Sequence, residues 1–534
     1  MRAIPQKERL DKVDVLIVGS GPIGAVFART LVSAGRSVVM IDVGNQESRR
    51  IGDHKKNSLA IQKNVNLFTN TVQGEQHPLS IPTNMTNSSL EPASGGANTH
   101  KVRFVQNGQN PKQEAWDNIP AAVATRVVGG MGSHWTCNTP RQNTDLERSD
   151  LFSDEEWDDL YTRAEKLFWT DNTLFDDSIH QQLVKTVLTN TYKDSGREVL
   201  SMPLCGKRTA KNRCFVEWAC TATILGDLAE PGNQSSLFQL RANTQCIKLE
   251  LNHSGQVELA LVKDLLGDEE YYIQANKFII CAGAILTPGS VHTEQTVGFC
   301  QVVLKNSHVR DVETDKYKLG WKKVVDEHLA KHPNDPLPFP FDDPGTQCYF
   351  PLTKQHPWHT QIHRDALGYG HIPKTMDQRL VVDLRWFGYT KPDQNNHVEF
   401  SLDKTDEFGM PQPTFHFIVN REDSERCVDM ISDMIDVARN IGTFLPGAEP
   451  KYMPMGSALH VCGTYRARKT KVDEQTGDDT SVVDRLGRVW GQESLVLGGC
   501  GVIPTQNARN PTLTAAAFAL AAADQVVKDL ERQR

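Results

Sequence analysis

Two polar side chains toward the C-terminal end are of types that can act on a hydroxyl, one by taking its proton and the other by hydrogen-bonding its oxygen. His460 lies in Ser457-Ala-Leu-His-Val-Cys-Gly-Thr464, and Asn510 opens Asn510-Pro-Thr-Leu-Thr514. A neutral imidazole, with an ordinary pKa of about 6.5, takes a proton from a hydroxyl near neutral pH. A carboxamide beside it can donate a hydrogen bond that holds the substrate oxygen in line. Oxidising an alcohol is one reaction that would use such groups, and it also needs a hydride acceptor that no side chain supplies. A third candidate is His134, in Val127-Val-Gly-Gly-Met-Gly-Ser-His-Trp-Thr136. Gly129, Gly130 and Gly132 give the backbone room to pass a flat ring system, with His134, Trp135 and Thr136 delivered at the end of the bend. His134 either attacks that ring as a nucleophile or only packs and hydrogen-bonds beside it.

The elements that would position these groups begin at the other end of the chain. Residues 13–24 read Val-Asp-Val-Leu-Ile-Val-Gly-Ser-Gly-Pro-Ile-Gly, an apolar strand running into G-x-G-x-x-G. Gly19 permits the tight turn, Gly21 lets the backbone approach a pyrophosphate, and Gly24 lets the next helix pack on the strand. That helix is expected over Ala25–Ala34, with its free N-terminal amides facing the phosphates. After Gly35 the run Ser37–Ile41 reads as the second parallel strand and ends at Asp42, 23 residues past Gly19, where a carboxylate accepts from an adenosine ribose. Helices are expected at 153–168, 179–192 and, Ala-rich, from Thr512 to Glu531. Strand-like runs lie at 236–250, 256–264 and 271–282. The small-residue ending Cys281-Ala-Gly-Ala284 would let the sheet meet a dinucleotide closely, and Cys246, Ala282, Gly499 and Thr512 complete the expected cofactor wall. Pro511 marks the first turn of the last helix, whose N-terminus would favour negative charge on a ring in front of it.

With 534 residues the chain exceeds what one core usually supports. The expected class is α/β: a Rossmann-like nucleotide-binding domain interleaved with an antiparallel-sheet substrate domain, strands of the latter recurring between 378 and 420. The nucleotide domain is assigned 1–145, 231–298 and 451–534, the substrate domain 146–230 and 299–450. Within the first part, 52–118 loses periodicity and reads as a long surface loop or lid. A net charge of −8 with no basic cluster argues against a nucleic-acid partner. The first residues lack the apolar core of a secretory signal, and no run approaches 18 apolar residues, so a protein without a membrane partner is expected, cytoplasmic or released by an unconventional route. Eleven cysteines without C-x-x-C pairs suit reduced thiols. No metal is expected: His356, His359 and His363 are suggestively spaced, but Pro357 opposes a regular helix and H-E-x-x-H is absent.

The fingerprint, the Ser133-His134-Trp135-Thr136 turn, the segment His356-Pro-Trp-His-Thr-Gln-Ile-His-Arg-Asp-Ala-Leu-Gly-Tyr369 and the His460 and Asn510 endings together resemble the glucose-methanol-choline (GMC) oxidoreductases, over nearly the whole chain. The third segment is similar to the substrate loop of the sugar-oxidising members. The resemblance implies FAD as cofactor, with covalent attachment through His134 left open, His460 as base and Asn510 as its partner. It implies a sugar site lined by Gln361, His363, Asp365 and Tyr369 and supported by Arg385. The implied reaction is oxidation of a glucose-like pyranose at a secondary hydroxyl, C2 first, with electrons passed to O2 to give H2O2. Oxidation of glycosides at C3, a quinone acceptor, or a lyase using flavin as structure are the alternatives, and a homo-oligomer is an open expectation. Three departures stand out: Ser133 replaces the Thr of the flavin-attachment motif, Leu367-Gly368 replaces Phe-Ser, and a helical stretch is missing between Pro288 and His292.

Overall fold

The computed structural model describes residues 10–532 apart from 63, 65–66, 68–70, 72–75, 84–108, 210–211, 234, 288–292, 365–374, 407–408 and 472–480. Strand Leu10–Val18 centres the first sheet, and the apolar end of its run, Val15, Leu16 and Ile17, is fully buried. It pairs in parallel with Val38–Ile41 on one side and Glu269–Ile280 on the other, so that Val18 stands level with both Ile41 and Ile280. Phe238–Arg241 extends the parallel side, and Leu495–Leu497 joins parallel to Glu269–Ile280. Val257–Asp264 and Thr244–Leu251 then fold back antiparallel. In an open α/β sheet the crevice beyond the carboxyl ends of the parallel strands receives the ligand. Here those ends are Val18, Ile41, Ile280 and Leu497.

The run 236–250 is therefore two strands rather than one: Asn243 takes a φ of +49°, and the chain turns there from a parallel to an antiparallel pairing. The first helix, Pro22–Ser33, starts earlier than its apolar periodicity suggests, because proline's fixed φ suits the first turn. It packs on the C-terminal helix Thr512–Arg532, whose buried Ala515, Ala516, Ala519 and Ala523 let the two backbones approach.

The second sheet is antiparallel and runs Gln295–Leu304, Val381–Tyr389, Trp358–His363, Gln347–Tyr349, Leu200–Ser201. One of its faces is covered by helices Arg421–Ile441 and Ile179–Tyr192 through Met430, Met434, Leu183 and Val187. The division of 146–230 differs from the sequence expectation. Helix Asp154–Phe168 packs on the C-terminal helix, with Trp157 edge-on to Phe518, Tyr161 Oη 3.0 Å from Thr514 Oγ1, and an Arg163–Asp524 ion pair at 2.8 Å. Thr221–Leu225 packs on Pro22–Ser33. Among the described elements of this stretch, Leu200–Ser201 joins the second sheet and Ile179–Tyr192 packs on it, and the later run of that sheet starts at Gln295, four residues ahead of the boundary expected at 299. Helical spacing reveals an apolar face but not which layer receives it.

The stretch 52–118 is also more built-in than a surface lid. Gln76–Pro78 pairs with Val123–Thr125, and the buried Asn110 donates to Ser80 Oγ at 3.0 Å and Thr414 Oγ1 at 2.8 Å. The latter belongs to the hairpin His397–Thr405/Pro411–His416, which shares a core with Leu79, Ile119 and Ala122. Residues 84–108 of that stretch, and the Pro288–His292 junction, lie outside the described residues. Among the described residues, no helix is long and apolar enough to cross a membrane.

Asp433, on Arg421–Ile441, ties that helix to the second sheet. It accepts from Arg197 Nη2 at 2.8 Å, Trp358 Nε1 at 2.8 Å and Trp386 Nε1 at 2.7 Å. Burial alone would raise its carboxyl pKa; the Arg197 guanidinium and the two indole donors outweigh that and hold it below the usual range. A group depressed in this way stabilises the fold above the unfolded carboxyl pKa and loses that contribution as pH falls through the folded one. Asp433→Ala leaves a buried cation and two indole N–H groups without an acceptor, so a loss of about 3–5 kcal/mol is expected in denaturant melts at neutral pH, shrinking toward acid.

Candidate active site

A cavity of about 710 Å³ lies beyond the carboxyl ends of the parallel strands, within the size range of sites for large ligands. It runs from the glycine turn and Asp42 at one end to His460 and Asn510 at the other. At the first end the glycines are required by contact. A Cβ on Gly19, where φ is +101°, would stand 2.4 Å from the Cys281 carbonyl oxygen, and one on Gly24 would stand 2.1 Å from the Gly19 oxygen. Nothing lies within 4 Å of a Cβ placed on Gly21, which faces the open cavity. Gly130 presses within 3.2 Å of the Gly21 Cα by the same measure. This is the cradle that a pyrophosphate needs, bare backbone with helix amides behind it, so the residues present fit a dinucleotide.

Asp42 lines this end, but both its oxygens already hold the turn: Oδ2 accepts from Ser20 N at 2.8 Å and Ser20 Oγ at 2.6 Å, and Oδ1 from Gly44 N at 2.8 Å. Burial pushes its carboxyl pKa up against those three bonds. Gly24 and Gly129 stand behind the cavity wall rather than on it. Gly129 donates to Ser20 Oγ at 2.8 Å and accepts from Thr221 Oγ1 at 2.9 Å. His134, Trp135, Thr136, Cys246, Ala282, Gly499 and Thr512 all line the cavity. His134 is buried with Nε2 3.0 Å from Thr125 Oγ1. Burial, helped by the Lys55 charge, lowers its pKa to about 4, so the ring is neutral.

At the far end His460 Nε2 and Asn510 Nδ2 are 3.1 Å apart, and both residues line the cavity. Burial lowers the His460 pKa to about 3, so it stands as a neutral base down to acid pH. Its Nδ1 lies 2.8 Å from Gln295 Oε1. The Asn510 Oδ1 accepts from Asn138 Nδ2 at 2.9 Å and Gln361 Nε2 at 2.8 Å. Val297, Phe299 and Phe387 supply an apolar wall, the Phe387 and His460 ring centroids being 5.9 Å apart.

The expected substrate residues do not all come together. Gln361 and Arg385 line the main cavity on adjacent strands, paired in register. His363 does not: it faces a small separate cavity with Lys56, Thr136 and Met202. The part of the expected loop before Arg364 is a fully buried strand, Trp358–His363, in which Trp358 and Ile362 enter the second core while His359, Gln361 and His363 turn toward the first domain. A period of two puts alternate side chains on opposite faces, and that alternation was the available signal for His359. Asp365 and Tyr369, with Leu367 and Gly368, lie outside the described residues. Reading from sequence also missed Gln295 and Asn138, isolated polar residues among apolar ones. It missed Glu294 as well, a wholly buried carboxyl that accepts from Gln295 N at 2.8 Å and whose pKa burial raises to about 7.

A GMC oxidoreductase family model matches residues 392–519 and an FAD-binding domain model matches residues 12–57. Pyranose 2-oxidase of Emericella nidulans is 38% identical, the match covering 98% of this chain and 94% of that one. C-glycoside 3-oxidase of Microbacterium trichothecenolyticum is 26% identical across 97% of this chain and 98% of its own. The solved structure of formate oxidase shares the fold at a TM-score of 0.60 and 12% identity, covering 98% and 99% of the two chains. The chain belongs to the GMC oxidoreductase family and is an FAD-dependent oxidoreductase.

Proposed function

We propose that this enzyme oxidises a pyranose sugar at a secondary ring hydroxyl, C2 in the first instance, with O2 as the electron acceptor and hydrogen peroxide as product. The observation that carries the reading is the convergence of His460 Nε2 and Asn510 Nδ2, 3.1 Å apart, on a cavity whose other end is a dinucleotide cradle. A hydroxyl oxygen between them meets a lone pair that accepts its proton and an N–H that donates to the oxygen. Gln361 and Arg385 offer polar contacts to the remaining hydroxyls, while Val297, Phe299 and Phe387 keep water away from the reacting carbon. Bound FAD supplies the hydride acceptor and the route to oxygen. The name of the Emericella relative supports C2. The Microbacterium relative supports a second reading, oxidation of a glycoside at C3.

Anaerobic mixing of the holoenzyme with glucose tests this. Rapid bleaching of the flavin, followed on admitting air by recolouring and peroxide, is expected. No bleaching by any pyranose refutes the reading, and bleaching by bulky glycosides alone selects the second one. The neutral, cavity-facing His134 further supports covalent attachment of FAD. After acid precipitation the yellow colour should stay with the protein pellet, and in His134→Ala it should pass into the supernatant.

A further inference from the structure

The polar side chains around His460 form a chain of hydrogen bonds with a direction, and among the described residues only one of its ends is anchored to the backbone. Gln295 Nε2 lies 2.8 Å from the carbonyl oxygen of Asn507 and 3.0 Å from that of Arg509. A carbonyl oxygen accepts and never donates, so this end of the amide is the nitrogen and the other end is Oε1. Oε1, 2.8 Å from His460 Nδ1, accepts only, which requires Nδ1 to carry the proton. At the opposite end Asn510, Asn138 and Gln361 bond amide to amide at 2.8–2.9 Å. Reversing those amides in concert would preserve most of their bonds, so by themselves they leave the polarity of the chain open. The two backbone carbonyls facing Gln295 cannot be reversed.

We propose that Gln295 is a positioning residue that fixes His460 in the tautomer protonated at Nδ1, so that Nε2 meets the substrate hydroxyl as a lone pair rather than as an N–H. The kinetic consequence rests on the sugar-oxidation reading; the tautomer does not. Asn510 follows from the same polarity. With Nε2 unprotonated, the Asn510 Nδ2 at 3.1 Å has an acceptor until a substrate hydroxyl takes that lone pair and receives the Asn510 N–H on its own oxygen, and the other tautomer would set two donors against each other. A histidine held by an amide also differs from one held by a carboxylate. The proton it takes from substrate is not balanced by a charge on Gln295, so the imidazolium is short-lived and tends to give the proton up.

Two variants and one spectroscopic measurement test the assignment. In holoenzyme carrying ¹⁵N-labelled histidine, the His460 ring nitrogens should show a protonated Nδ1 and a bare Nε2 at neutral pH. A protonated Nε2 overturns the proposal, whether or not any sugar bleaches the flavin and whether or not any variant folds. Gln295→Leu removes both the acceptor and the carbonyl anchor. With wild-type FAD content, it should slow anaerobic flavin reduction by glucose by roughly 10²-fold or more, as expected when a base loses its enforced tautomer. Glucose affinity should stay within about threefold, since the substrate does not touch Gln295. Gln295→Glu, held protonated by the two facing carbonyls, keeps an oxygen toward Nδ1 and a donor toward the backbone, and should restore most of the lost rate. Reduction by Gln295→Leu at the wild-type rate, or a Gln295→Glu enzyme no faster than Gln295→Leu, contradicts a positioning role. If glucose fails to bleach wild-type enzyme while the Nδ1–H signature is present, the substrate reading falls and the role of Gln295 stands.

Discussion

Replacing His460 with alanine is expected to slow flavin reduction by sugar roughly 10²–10⁴-fold, the range a positioned general base contributes. The loss should fall on the rate at saturating sugar, because the imidazole meets the substrate where charge develops in the transition state. FAD content should be unchanged, since the proposed phosphate cradle is the glycine turns around Gly19, Gly21 and Gly130 and not His460. The pH profile carries the same information. Because burial lowers the His460 pKa to about 3, the base stays unprotonated as the solution is acidified, and wild-type flavin reduction should hold its rate well below pH 6.5. A rate that halves near pH 6.5 would show an ordinary solvated imidazole. Stopped-flow reduction measured across pH in wild type and His460→Ala checks both statements.

The second large effect is at the cradle, where two neighbouring glycines should fail in different ways. A Cβ on Gly24 would stand 2.1 Å from the Gly19 oxygen and 3.2 Å from its carbonyl carbon, backbone atoms that no side-chain rotation relieves. Gly24→Ala therefore pushes helix Pro22–Ser33 off the strand it packs on and should cost about 3 kcal/mol or more, with little FAD retained. Gly21→Ala meets nothing within 4 Å. The apoprotein should melt at the wild-type temperature, yet the added methyl fills space beside the phosphates and should weaken FAD binding. Thermal melts of the apo and FAD-loaded forms of both variants separate a packing glycine from a ligand-clearance glycine. Equal behaviour of the two would contradict the cradle geometry.

Much of this architecture was legible in the residues. The fingerprint, the helix at 154–168 and the long C-terminal helix follow from local periodicity and from Gly, Pro and capping signals, such as Ser153 accepting from Glu156 N at the start of its helix. His460 and Asn510 were visible because their flanking Gly and Pro set them apart, and their partners were not. Gln295, Asn138 and His359 sit in three segments far apart in sequence and acquire meaning only when the second sheet stacks against the first domain, with Asn138 and Gln361 donating to the same oxygen of Asn510. His363 shows the opposite error. Its place two residues from Gln361 puts it on the same face of the strand, but one further step along a rising strand carries it past Thr136 into a different small cavity. The packing of Asp154–Phe168 on the nucleotide side failed for a related reason, since a face rich in Trp157, Leu160 and Tyr161 fits any apolar layer and the choice is made by tertiary shape.

The central claim is that one substrate oxygen sits between the imidazole of His460 and the amide of Asn510. A crystal structure of the FAD-loaded enzyme with a fluorinated, non-oxidisable glucose tests it most directly. The account predicts a ring hydroxyl oxygen within about 3.2 Å of both His460 Nε2 and Asn510 Nδ2, hydrogen-bond reach for proton transfer. A sugar seated with its hydroxyls turned away from that pair would contradict it.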